Sequence, residues 1–123
     1  MHPLVLCLRR HWPAILAIAF LGVRASRVGF YEDPAASIFL GLATLGMTMN
    51  LTVILVNGGM PARVTADDIA PEEKPHYHPL APSTRLAFLA DWIPFGNYLI
   101  SPGDILIVIA VLSLFAWRFV FSA

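Results

Sequence analysis

One stretch restricts this chain more than any other: residues 35–56, AASIFLGLATLGMTMNLTVILV, run for 22 positions without a charged side chain. About 20 apolar residues in a helix, rising 1.5 Å each, cross the ~30 Å hydrocarbon core of a bilayer. A soluble domain of this size buries too little surface to hide such a run. The flanks carry helix punctuation. Asp33 is a favourable N-cap, Pro34 suits the first helical position, and Asn57-Gly58-Gly59 supplies residues tolerant of the left-handed turn that ends a helix.

Composition extends the reading to the whole chain. Of 123 residues, 58% are hydrophobic and 13% charged, about half the ~25% charge of soluble domains. Mean hydropathy is +0.71. A second apolar run covers residues 103–121. Ser101-Pro102-Gly103-Asp104 opens it as a capping box, the serine as N-cap and the aspartate reaching back from the third position. Toward its end, Arg118 can snorkel to the interface and Trp117 suits the aromatic belt.

The first apolar run is shorter, with an uncharged core at residues 13–23. To cross a bilayer it must continue past Arg24 and Arg27 to Phe30, or take in residues 4–8 beyond Arg9 and Arg10. Arginines near a helix end cost less than arginines deep in lipid, so the span is placed at 12–30. A cleaved signal within residues 1–25 is the competing reading, from Arg9-Arg10, an apolar core and Val23-Arg24-Ala25 before Ser26. Apolar residues ahead of the arginines and Arg24 inside the cleavage site argue against it.

The expected fold is therefore a single all-α integral membrane domain, residues 1–123, with about three transmembrane helices at 12–30, 35–56 and 103–121. Residues 57–102 form a long loop in which Pro61, Pro71, Pro75, Pro79 and Pro82 exclude a long helix before Ser83. Thr65-Ala66-Asp67-Asp68 can cap one short turn. Residues 84–95, TRLAFLADWIPF, are apolar but too short to span. Leu86, Leu89 and Ile93 share a helical face, so the segment is expected to be a short interfacial helix, with Trp92 and Tyr98 at headgroup depth. Five basic residues on the loop side against three on the other place the loop in the cytoplasm by a narrow margin.

Several function classes drop out. Formal net charge is zero, which leaves no basic footprint for nucleic acid. Cys7 is the only cysteine, so neither an internal disulfide nor a cysteine metal cage can form. There is no glycine-rich phosphate loop, nucleophile elbow or metalloprotease helix motif. No catalytic residue, metal or cofactor is assigned, and the chain is not expected to be an enzyme.

What remains are packing and contact candidates. Ser37, Gly41, Thr44, Thr48 and Thr52 fall on one stripe of the second helix. Small and hydroxyl residues mark close helix contact in lipid, where packing rather than hydrophobic expulsion drives association. The stripe fits the chain's own first or third helix, another subunit, or a cofactor tail. Asn50 lies off it, near Gly46, and is expected to find its own helix–helix hydrogen bond. Arg24 and Arg27, three apart, can snorkel to phosphates, pair with Glu32 and Asp33, or hold an anionic headgroup or a partner's acid. His76 and His78 alternate in an extended segment and, with Asp67, Asp68, Glu72 or Asp91, outline a weak metal-site pattern. A solvated loop explains them more simply. Asp91 interrupts an apolar run. It can face water, pair with Arg85, or meet the neighbouring cap.

Three blocks in order, Asn57-Gly58-Gly59-Met60-Pro61, then residues 84–94 (TRLAFLADWIP), then Ser101-Pro102-Gly103-Asp104, resemble a bacterial family of small membrane proteins known as domain of unknown function 5317. The resemblance runs over residues 35–121, with a looser echo at 4–28. It implies a multi-pass protein of the bacterial cytoplasmic membrane and supplies no catalytic residues. All three blocks are structural punctuation, which points to a scaffold. The expected function is a small non-catalytic accessory subunit of a larger bacterial membrane complex, respiratory or photosynthetic. The lipid bilayer and other membrane subunits are its expected partners. A homo-oligomeric transporter or channel component is the alternative, and a loop-based metalloenzyme using His76, His78 and Asp91 is a third.

Overall fold

In a computed structural model of the chain, residues 8–29, 31–74 and 76–121 are described. Three helices account for most of it: α1 (Trp12–Arg27), α2 (Pro34–Asn57) and α3 (Pro102–Phe121). α2 has the ends its sequence predicts. The Asp33 carboxylate accepts from the Ala36 N–H at 3.1 Å, Pro34 occupies the first turn, and Gly58 closes the helix at φ 75°. At 24 residues it is long enough to cross a bilayer, and so is α3 over Pro102–Val120. α1 has 16 residues, about 24 Å at 1.5 Å per residue, short of the ~30 Å core. The expected third span is thus a shorter helix here. Phe30, and residues 4–7 of the alternative first span, lie outside the described residues.

α2 packs against both other helices. Ala43, Gly46, Asn50, Val53 and Asn57 recur at alternating spacings of three and four, the register of a helix–helix seam. Ala43, Gly46 and Val53 are buried along it, as are Gly103 and Ala110 of α3. Backbones touch where the glycines meet. A Cβ built on Gly46 would lie 2.5 Å from the Gly103 carbonyl oxygen, and one on Gly103 would collide with the Asn50 side chain. At the far end of the pair, Arg118 bridges to Asp33 at 3.2 Å, so α2 and α3 run antiparallel with matched lengths.

Residues 58–101 differ from the expected all-α fold, because strands are present. β1 (Met60–Ala62) pairs in parallel with β2 (Tyr77–Pro79), and Ala62 also bridges to Asp91. β3 (Ile93–Phe95) and β4 (Tyr98–Ile100) form an antiparallel hairpin through Gly96-Asn97, with Gly96 at φ 60°. The turn expected at Thr65–Asp68 forms. Asp68 accepts from both the Thr65 N–H and its hydroxyl ahead of a 3-10 turn at Ala66–Asp68.

The interfacial helix expected over residues 84–95 does not form. Its place is taken by a single 3-10 turn, Ala87–Leu89, followed by β3. Two backbone features outweigh the helical spacing of Leu86, Leu89 and Ile93. Leu86 sits in the left-handed region at φ 53°, which stops a helix. The Asp91 backbone is drawn onto β1, its N–H donating to Pro61 O at 2.9 Å and its carbonyl accepting from Arg63 N–H at 2.9 Å.

Candidate functional site

Polar groups from α2, α3 and the loop meet toward the C-terminal end of α2. Ser101 is fully buried and starts α3 as the capping box predicts. Its N–H donates to Asp104 Oδ2 at 3.0 Å, and the Asp104 N–H donates to Ser101 Oγ at 3.1 Å. Asn50 joins this box to α2. Its amide donates to Asp104 Oδ1 at 2.8 Å, and its carbonyl oxygen accepts from Ser101 Oγ at 2.6 Å. A polar side chain on an apolar helix is costly unless paired, and this three-residue clasp pairs every member. It is the helix–helix hydrogen bond expected for Asn50.

A second clasp ties the loop to the same helix end. The Asn57 amide bonds Val53 O at 2.9 Å and Arg85 O at 2.8 Å, while the Arg85 N–H donates to Asn57 Oδ1 at 2.9 Å. Asn57 thus binds both backbone groups of Arg85, as a neighbouring strand would. Arg85 and His78 line one cleft beside it, of about 300 Å³.

His76 and Asp91 line a different cleft, of about 440 Å³, beneath the loop. Asn50 and Asp104 of the first clasp form one wall, with Ile54 and Met60. Glu73, Tyr77 and His11 complete it. The rings of His11 and His76 meet edge to face at 6.3 Å, which joins the start of α1 to the loop. Burial pushes the Asp91 carboxyl up to about 6, with the Asp104 carboxylate adding to the effect. Burial likewise raises Tyr77, helped by Asp91, Glu73 and Asp104. His11 is lowered, first by burial and then by Arg10 and His76. Asp91 Oδ1 and His11 Nε2 are buried without a hydrogen-bond partner.

The loop candidates therefore separate, Arg85 and His78 to one cleft and His76 and Asp91 to the other. Among the described residues, no three His, Cys, Asp or Glu side chains stand close enough to hold a metal ion. Sequence spacing does not mark His11, Glu73 and Asp104 as members of a site. Nothing local marks them, because 62 positions separate His11 from Glu73.

The stripe on α2 does not form the seam with α3. Thr44 faces α1, its Cγ2 lying 3.9 Å from a Cβ built on Gly22, while Gly41 has nothing within 4 Å. Gly41, Thr48 and Thr52 are exposed, and Ser37 is half-buried. The hydroxyls of Thr44, Thr48 and Thr52 donate to carbonyls four residues back, at 2.6, 2.7 and 2.7 Å, so each is satisfied within its own helix. Arg24 and Arg27 are exposed in the last turn of α1. Asp33 pairs with Arg118 rather than with either of them. The Ala36 N–H and the Arg118 guanidinium hold the Asp33 carboxyl below its ordinary range.

Two helices of membrane-crossing length, clasped at one end under a small β-containing cap, place the chain among small, mostly helical proteins with two candidate membrane spans. More particularly, it belongs to the family of unknown function DUF5317, which matches residues 31–116, from the turn before α2 into α3. That stretch holds both clasps and leaves α1 outside. No curated protein and no solved structure matches the chain.

Proposed function

We propose that this protein is a multi-pass component of the bacterial cytoplasmic membrane, acting as a small non-catalytic accessory subunit of a larger membrane complex. One observation carries the membrane reading. In the most apolar windows of α2 and α3 only 17% and 11% of residues are buried. The core helix of a soluble protein is covered by its own fold, whereas these two leave most of their apolar surface bare. Phe115, Phe119 and Leu112 on α3 and Leu45 on α2 are among the exposed side chains. A lipid solvent removes the penalty for such surface.

The accessory role is supported by how the polar residues are used. Asn50, Ser101 and Asp104 are committed to holding α2 to α3, and Asn57 to holding the loop. The exposed line of Gly41, Thr48 and Thr52 is open to a neighbouring helix, since small residues permit close approach. Affinity purification of the tagged protein in mild detergent, with mass spectrometry of the eluate, tests the role. Larger membrane subunits should co-purify in fixed ratio and be lost on Gly41→Leu with Thr48→Leu. A preparation that contains this chain alone, giving a ladder of homo-oligomers on cross-linking, would refute it in favour of a self-assembling transporter or channel component.

A further inference from the structure

The cleft beneath the loop holds two buried polar atoms with no partner, Asp91 Oδ1 and His11 Nε2. Folded proteins leave few such atoms, because each forfeits the hydrogen bonds it had in water. These two come from positions 80 residues apart and line the same cavity. They are not by-products of one strained turn. We propose that this cleft binds a primary ammonium group, carried by a free amine or by a phosphatidylethanolamine headgroup.

The chemistry of the walls selects that group. Glu73, Asp91 and Asp104 contribute three carboxylates, and among the described residues lining the cleft none is Lys or Arg, while Arg10 acts on His11. The lining therefore favours a cation over an anion. His11 is held toward its neutral form, so Nε2 can serve as an acceptor beside the Asp91 oxygen. An ammonium group has three N–H donors and no acceptor, which suits a cleft whose two orphaned atoms both accept. A metal ion would need three ligating side chains close together, and the described residues bring none. The inference is independent of any host complex, since every group it uses lies within this chain.

The test uses the full-length protein in detergent, with ¹⁵N-labelled histidine, at a pH well above the Asp91 value of about 6. Ring nitrogens are followed by NMR, and His11 is assigned through His11→Gln among the four histidines. Ethanolamine should shift the His11 Nε2 signal saturably, while choline, whose trimethylated nitrogen has no N–H, should not. The near-isosteric Asp91→Asn should weaken the ethanolamine response by about tenfold or more, the worth of one hydrogen bond to a charged group. A parallel comparison in nanodiscs, phosphatidylcholine alone against phosphatidylcholine with phosphatidylethanolamine, identifies the source. A shift with the lipid alone assigns the site to a headgroup, and a shift with both probes assigns it to amines in general. A His11 signal that neither probe moves, or that choline moves equally, overturns the proposal whether or not Asp91→Asn folds.

Discussion

Replacing Gly46 by alanine sets two effects of opposite sign against each other. Glycine costs a helix interior about 1 kcal/mol relative to alanine, so propensity alone makes the variant more stable. Packing says otherwise. The new Cβ would lie 2.5 Å from the Gly103 carbonyl oxygen and 2.9 Å from Ile107 Cγ1, where ordinary contact begins at 3.4 Å. The nearer obstacle is backbone and cannot rotate away, so relief requires α2 and α3 to part by about 0.9 Å at their closest point. A gap of that size forfeits roughly a quarter to a half of each dispersion contact across it. It also stretches the 2.6 and 2.8 Å bonds from Asn50 to Ser101 and Asp104 toward the limit of a hydrogen bond. Interhelical hydrogen bonds in membranes average about 0.6 kcal/mol, and overpacking costs about 1–3 kcal/mol. Against the propensity gain, the net loss is about 1–3 kcal/mol. Gly41→Ala on the same helix is the control. With nothing within 4 Å, it should be neutral or stabilising by up to about 1 kcal/mol. Unfolding both variants in dodecyl sulfate mixed micelles, followed by helicity, measures the difference. A Gly46→Ala protein as stable as Gly41→Ala would refute the account of the seam.

Two further outcomes follow from the loop. Asn57→Ala removes both backbone bonds to Arg85, about 1–2 kcal/mol of local restraint, so trypsin should cut after Arg85 on the order of tenfold faster in native micelles; an unchanged rate would mean that other contacts hold the segment. Asp91 titrates at about 6 in the folded chain against an ordinary 3.8, so the native state binds more protons between those values. Stability should therefore fall as pH rises from 4 to 6 and level off above, by about 1 kcal/mol once partial exposure is allowed for. Asp91→Asn should flatten that slope in pH-resolved denaturation curves, and parallel curves for the two proteins would assign the slope elsewhere.

The local grammar of this chain is legible in its sequence. Asp33, Pro34 and Gly58 bound α2 where expected, and Ser101 and Asp104 close the capping box that starts α3. Each of these signals sits within about four residues at one helix end, so local spacing reports it. Asn50 was recognisable for a related reason: an amide on an apolar helix must find a partner. Which partner it finds depends on α3 arriving with Gly103 at the contact, and that is a matter of tertiary packing.

The loop shows the opposite case. Leu86, Leu89 and Ile93 carry helical spacing, yet Asn57 holds Arg85 and β1 holds Asp91 in place of a helix. Short segments have weak preferences of their own, because nucleating a helix is costly, so a few long-range hydrogen bonds decide their form. The same holds for the cleft. His11, Glu73, Asp91 and Asp104 come from separate segments of the chain, successively 62, 18 and 13 positions apart, and no spacing rule relates them. The sequence by itself determined which segments are too apolar for water and where they begin and end, since hydropathy and capping are local properties. Which face of α2 meets α3, and which polar groups share a cleft, was decided only when the helices closed on their glycines, because burial and contact belong to the assembled fold.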